Sequence, residues 1–304
     1  MGKLRGVVPP IGTPLTAEDS VDEPCLRRLA RYLVGAGVDG ILANGSMSGL
    51  GFLTDADQVR AVSVVVSEIN GAIPVLGGIG ETSTRRAVAK AREIVREGVT
   101  YLSILAPYYY LATQDNLYAF FCEVASAVDI PIFIYDNPVL TKNAIDPETV
   151  ARLRQAVPHI VGIKESNQDC LNLQKLIGLT KSETFSILTG SEFLIVVGLE
   201  MGCDGFIGGL HNICPHIAVE LYRAYQAGDL ETARKRQNDL ILAWDLFRYG
   251  NIWGGFDEAL RYLGLAERAT GAPYITRLSS EEASKVRAIV DQYVKPYILD
   301  PITR

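Results

Sequence analysis

Short apolar runs alternate with longer amphipathic stretches from the start of the chain to about residue 207. The runs carry few polar positions on either face, the pattern of strands covered on both sides rather than on one. Eight of them stand out, at 6–8, 40–43, 74–77, 102–105, 131–135, 160–164, 185–188 and 205–207. Helical periodicity fills the gaps; after the first run, Leu26, Leu29, Ala30, Leu33 and Val34 keep an i, i+3, i+4 spacing. Helix starts are marked by Asp19 and Ser20 as caps ahead of Asp22 and Glu23, and by Thr54-Asp55-Ala56-Asp57. Further starts are Thr82-Ser83-Thr84, Asp115-Asn116 and Pro147-Glu148.

Eight strand-then-helix units predict an α/β fold of the (β/α)₈ barrel type, because parallel strands need helical crossovers. A doubly wound open sheet is the rival, disfavoured because no Gly-rich dinucleotide turn follows the first strand. Beyond His216 the pattern is helical alone, over 217–225, 230–246, 259–263 and 280–293. Residues 1–214 are therefore expected to form the barrel and 215–304 a helical extension packed on it. No Pro-, Ser- or Gly-rich linker divides the chain, and no repeat is visible beyond the strand–helix rhythm.

With 304 residues, 48% of them hydrophobic and 21% charged, the chain is long enough for one barrel plus a few helices. The net charge of −6 and scattered basic residues argue against a nucleic-acid partner. Apolar runs such as Ile195-Val196-Val197-Gly198-Leu199 are too short to cross a bilayer, and the start has no charged-then-apolar signal pattern. Five dispersed cysteines (Cys25, Cys122, Cys170, Cys203, Cys214) form no zinc or redox spacing and are expected as buried small hydrophobes in a reducing, cytoplasmic setting. The three histidines, His159, His211 and His216, offer no helical metal pair, so no metal or other cofactor is expected.

Barrel chemistry sits where strands end. The sixth run, Ile160-Val161-Gly162-Ile163, stops at Lys164, which places an amine at the rim of a buried sheet. Burial penalises the charged form, so such an amine can shed its proton and attack a carbonyl. The plain alternative is a lysine whose stem covers the sheet end while its head stays wet. The fifth run ends Tyr135-Asp136-Asn137-Pro138, the fourth is followed by Pro107-Tyr108-Tyr109-Tyr110, and the second by Asn44-Gly45-Ser46-Met47-Ser48-Gly49. Gly77-Gly78-Ile79-Gly80 lacks the lysine and the third glycine of nucleotide cradles and reads as a tight turn. An amine, a phenol on the adjacent strand and a Gly/Ser loop able to hold a carboxylate suit Schiff-base formation with a 2-oxo acid.

These motifs, in this order, resemble the dihydrodipicolinate synthase and N-acetylneuraminate lyase superfamily of class I, pyruvate-handling lyases. The resemblance rests on Gly162-Ile163-Lys164-Glu165-Ser166, Tyr135-Asp136-Asn137-Pro138 and Pro107-Tyr108-Tyr109, and runs from Gly6 to about Pro215. It implies that Lys164 forms the imine and Tyr135 shuttles protons. Tyr109 would reach a neighbouring subunit's site and close a hydroxyl relay with Ser46 and Tyr135, which requires a homo-oligomer, usually a dimer of dimers. Substrate contacts are expected from Gly45, Met47, Leu140, Gly209 and the main-chain carbonyl of Ile207.

The chain also departs from that family. Met47 stands where a second hydroxyl or amide is usual, and Gly49 where glutamate is usual. One charge-assisted hydrogen bond typically contributes about 1.5–3 kcal/mol, enough to change substrate without abolishing chemistry. Leu140 occupies the position where dihydrodipicolinate synthases carry a carboxylate-binding arginine, which an apolar side chain cannot replace and which disfavours that condensation. Asp136 replaces the usual asparagine, either as a counter-charge to the imine or, preferably, as a turn cap. Glu192 is expected in the first turn of the seventh helix. The favoured activity is an aldolase acting on pyruvate or a 2-keto-3-deoxy sugar acid at the C3–C4 bond. A dehydratase of such an acid and a non-catalytic small-acid-binding relative remain as alternatives.

Overall fold

The computed structural model describes residues 2–298. In chain order the elements are β1 (Gly6–Val7), α1 (Glu23–Gly35), β2 (Ile41–Ala43), α2 (Asp55–Ile69), β3 (Val75–Ile79), α3 (Thr84–Arg96) and β4 (Tyr101–Leu105). They continue with α4 (Gln114–Ser126), β5 (Ile132–Asp136), α5 (Pro138–Thr141), α6 (Pro147–Ala156), β6 (Ile160–Glu165), α7 (Cys170–Thr180), β7 (Ser186–Thr189), α8 (Ile195–Met201) and β8 (Gly205–Phe206). Four further helices follow: α9 (Pro215–Gln226), α10 (Leu230–Ala243), α11 (Trp253–Tyr262) and α12 (Ser280–Tyr293).

All eight strands form one sheet in the order β1-β8-β7-β6-β5-β4-β3-β2, with parallel pairing. Just past β1, Pro10 bridges Leu42 of β2 in parallel, and the Ile11 N–H donates to the Leu42 carbonyl at 3.0 Å. The fold is a (β/α)₈ barrel with a C-terminal helical part. By contact density the chain divides into two compact units, Pro74–Gly208 with the N-terminal strand, and Pro9–Ile73 with the chain from Gly209 onward.

In the first unit the strands are buried almost throughout, as fully apolar runs require. Gly162 in β6 has a packing reason: a Cβ there would lie 2.4 Å from the Phe133 ring of β5. That ring in turn meets Tyr101 of β4 edge-on at 5.3 Å between centroids. In the second unit α1 lays Leu26, Leu29, Ala30 and Leu33 inward, the face its periodicity predicts.

The starts of α1 and α4 differ from expectation. Asp22, not Asp19 or Ser20, caps α1, accepting the Cys25 N–H at 3.0 Å, while Asp19 sits in a left-handed turn and pairs with Arg268 at 2.6 Å. Helix α4 begins ahead of Asp115, because Thr113 and Asn116 form a reciprocal capping box. The cysteine expectation also needs correction, since only Cys203 and Cys214 are buried; Cys25 and Cys122 are half-buried and Cys170 is exposed. No described helix is long and apolar enough to cross a membrane.

Candidate active site

Strands β5 and β6 pair with Tyr135 opposite Lys164 and Asp136 opposite Glu165. Side chains alternate across a strand, so the phenol and the amine share one face while the two carboxyls share the other. Tyr135 and Lys164 are each only 5% exposed, and the Lys164 Nζ lies 4.0 Å from the centre of the Tyr135 ring. Among the described residues this amine makes neither an ion pair nor a hydrogen bond; the aromatic face is its partner. The Tyr135 oxygen accepts a hydrogen bond from Asn137 Nδ2 at 2.9 Å.

Asp136 lies on the face away from the amine, which corrects its reading as a counter-charge to an imine. It is no simple turn cap either, because its Oδ1 accepts the Ile145 N–H, nine residues on, at 3.1 Å. Burial pushes its carboxyl up to about 7, opposed by the Ile145 N–H and reinforced by the charge of Glu165. Glu165 is likewise pushed up to about 7 by burial, against hydrogen bonds from the Asn167 N–H and the Asn172 side chain. A carboxyl raised in the folded state stabilises the fold fully below its unfolded pKa, near 4, and loses that contribution as pH rises through 7. Asp136→Asn keeps the acceptor for Ile145 and never ionises. Its stability relative to the parent should therefore rise between pH 5 and pH 8 by at least about 1 kcal/mol, the worth of less than one pK unit. Urea midpoints at the two pH values measure this, and a difference independent of pH would show that Asp136 does not titrate in the window.

Beyond β4 the chain turns through Pro107-Tyr108-Tyr109-Tyr110. Tyr109 takes a left-handed backbone conformation, with φ +83°, and its side chain is 81% exposed. It stacks edge-on against the equally solvent-facing Tyr110 at 4.9 Å. Beneath the loop lies Asn143, fully engaged with it. Leu140 projects from the short helix α5, 57% exposed beside an exposed Val139. Ile207 is buried just past β8, its N–H donating to the Thr189 carbonyl at 2.8 Å. Glu192 is half-buried and lies three residues before α8 begins, outside the first helical turn where it was expected.

In the second unit Ser46, Met47 and Ser48 form a single tight turn after β2. The Gly45 N–H donates to Ser48 Oγ at 2.9 Å, so the main chain of Gly45 is used in shaping the turn. Gly49 closes the turn in a left-handed conformation, and a Cβ there would lie 2.3 Å from the Phe52 ring, a local reason for losing glutamate. Met47 lies directly against Gly209, where an added Cβ would come within 2.6 Å of Met47 Cγ. Sequence reasoning named both residues but not their contact. It assigned no role to the Asn137 and Asn143 side chains, and hydropathy carries no signal for either.

The model of the dihydrodipicolinate synthetase family matches residues 3–293. The chain belongs to that family. Among its similar members is a 4-hydroxy-tetrahydrodipicolinate synthase of Methanopyrus kandleri, 34% identical over 240 residues, 79% of this chain and 80% of the relative. A probable 2-dehydro-3-deoxy-D-pentonate aldolase of Escherichia coli is 28% identical over 293 residues, covering 95% of this chain and 97% of its own. Among solved structures, the E. coli K12 prophage protein YagE of the dihydrodipicolinic acid synthase family, in complex with pyruvate, superposes with a TM-score of 0.90. It is 25% identical and covers 95% of this chain and 98% of its own. Family members so named include both a synthase and an aldolase, so membership fixes the scaffold and leaves the substrate to the site.

Proposed function

We propose that the protein is a Schiff-base-forming lyase that cleaves or forms the C3–C4 bond of a 2-keto-3-deoxy sugar acid, with pyruvate as one product or substrate. The observation that carries this reading is the buried amine of Lys164 seated 4.0 Å from the centre of the Tyr135 ring, with no ion pair among the described residues to occupy it. The free amine attacks C2 of the oxo acid, and loss of the carbonyl oxygen as water leaves an imine. Tyr135 takes the C4 hydroxyl proton while passing its own along a chain of hydroxyls formed with Ser46 and the Tyr109 of a second copy. As C3–C4 breaks, its electron pair moves into the imine, giving an enamine and an aldehyde. Protonation at C3 and hydrolysis release pyruvate and restore the amine.

The substrate carboxylate is assigned to the Ser46-Met47 turn that Gly45 opens, a Gly/Ser segment of the kind that holds carboxylates. Substrate contacts are assigned to Ile207, Gly209 and Met47, the last two of which pack against each other. Leu140 on the exposed tip of α5 supports a neutral, hydroxylated partner over an acidic aldehyde. The aldolase relative that spans nearly the whole chain supports the same choice. Met47 also keeps a second reading open, expulsion of water from the same imine, since it removes a polar side chain from the substrate-facing turn. The exposed Tyr109, projecting from its own subunit, supports a homo-oligomer, and the assignment of 1–214 to the barrel and 215–304 to a helical extension remains part of this proposal.

Borohydride reduction with pyruvate should leave a stable adduct on Lys164, located by mass spectrometry of peptides. An unmodified Lys164 would favour a non-catalytic relative. A panel of 2-keto-3-deoxy acids then separates the chemistries, because only the aldolase releases pyruvate.

A further inference from the structure

Tyr109 presents a physical problem that its own loop does not solve. A bulky side chain at φ +83° is sterically unfavourable, and the ring gains no burial in return, being 81% exposed. Such a conformation persists only when its surroundings over-determine it. One buried amide braces the loop on both flanks. Asn143, 4% exposed, donates through Nδ2 to the Pro107 carbonyl at 2.8 Å and to the Tyr110 carbonyl at 2.9 Å. Its Oδ1 accepts the Ala112 N–H at 2.8 Å. These three contacts bracket the loop on both sides of Tyr109.

Asn143 is itself held from below. The buried Thr141 hydroxyl accepts the Asn143 N–H at 3.2 Å, and two residues on Asp136 anchors Ile145. Gln114 stitches the same segment to the start of α4, donating to the Ala144 carbonyl at 2.9 Å and accepting the Asp146 N–H at 3.1 Å. A rigid floor therefore extends from the end of β5 to the tyrosine loop.

We infer that Asn143 is a positioning residue for the lyase chemistry: it holds Tyr109 in its left-handed conformation and so aims the phenol that completes the proton relay in a second copy of this chain. This deepens the proposed function and rests on its assignment of Tyr109 to proton transfer. Asn143 touches no reacting atom. Misplacing a relay group by about 1 Å lowers a rate by on the order of 10- to 100-fold.

The test follows exchange of the C3 hydrogens of pyruvate in D₂O by proton NMR, with borohydride trapping on Lys164 run in parallel. Asn143→Ala and Tyr109→Phe should each slow exchange about 10- to 100-fold while trapping continues, and the double variant should be no slower than the slower single one. Asn143→Asp, which keeps the acceptor for Ala112 but loses both donors, should show the same defect and guards against misfolding of the alanine variant. If losses in the double variant multiply, or Asn143→Ala and Asn143→Asp exchange at the parental rate while Tyr109→Phe is slow, Asn143 has no positioning role and the relay stands. If Tyr109→Phe is unaffected while trapping persists, the relay assignment and the inference fail together. A parent protein that neither traps nor exchanges overturns the proposed function and with it this inference.

Discussion

Lys164→Ala is expected to lose turnover by about 10⁴-fold or more and to lose the borohydride adduct entirely, while folding as the parent does. The kinetic expectation follows from removing the atom that the proposed mechanism bonds to the substrate. The structural expectation follows from what that atom touches. Among the described residues the amine has no ion pair or hydrogen bond, so its removal strands no buried partner charge, which is the usual route to severe destabilisation. What is lost is the contact with the Tyr135 face and the packing of the stem, roughly 1–2 kcal/mol. Thermal unfolding and trapping on one preparation decide the matter. A variant that still releases pyruvate at a tenth of the parental rate would remove Lys164 from the chemistry, and one that fails to fold would show the lysine to be structural.

The barrel was legible because its signal is redundant. Eight apolar runs, each near the strand it predicts, leave little choice of topology once helices separate them. Helix ends were less legible, since Asp19, Ser20 and Asp22 are equally good caps as residue types and the backbone turn at Asp19 decides among them. The juxtaposition of the proposed reacting pair was legible for a geometric reason: in parallel pairing, residues that end adjacent runs fall opposite each other, as Tyr135 and Lys164 do. The same pleat turns Asp136 and Glu165 away from the site, a consequence of alternation that the strand boundaries alone made predictable. The asparagines were not legible. Asn143 acts through three hydrogen bonds to main-chain groups 31 to 36 positions away, and neither periodicity nor motif spacing encodes a bond to a backbone atom of another loop. Asn137 sits inside a recognised motif, yet the motif alone does not say that its amide points at the phenol.

Tyr135→Phe should separate the two functions of that side chain. The ring face that seats the Lys164 amine survives the substitution, so pyruvate should still be trapped at close to the parental extent. The hydroxyl proposed to carry the proton is gone, and turnover should fall by about 10²–10⁴-fold, the range for losing a positioned acid–base group. In the parent, Asn137 donates to the phenolic oxygen at 2.9 Å, which leaves the oxygen's own hydrogen to be directed elsewhere. Removing the oxygen deprives that amide of an acceptor, but Asn137 is half-buried and water can replace it, so the stability cost stays near about 1 kcal/mol. Single-turnover trapping and steady-state pyruvate release on one variant therefore give opposite answers if the phenol moves protons. Equal losses in both would mean that Tyr135 only holds the lysine in place, and the proton would have to travel by another group.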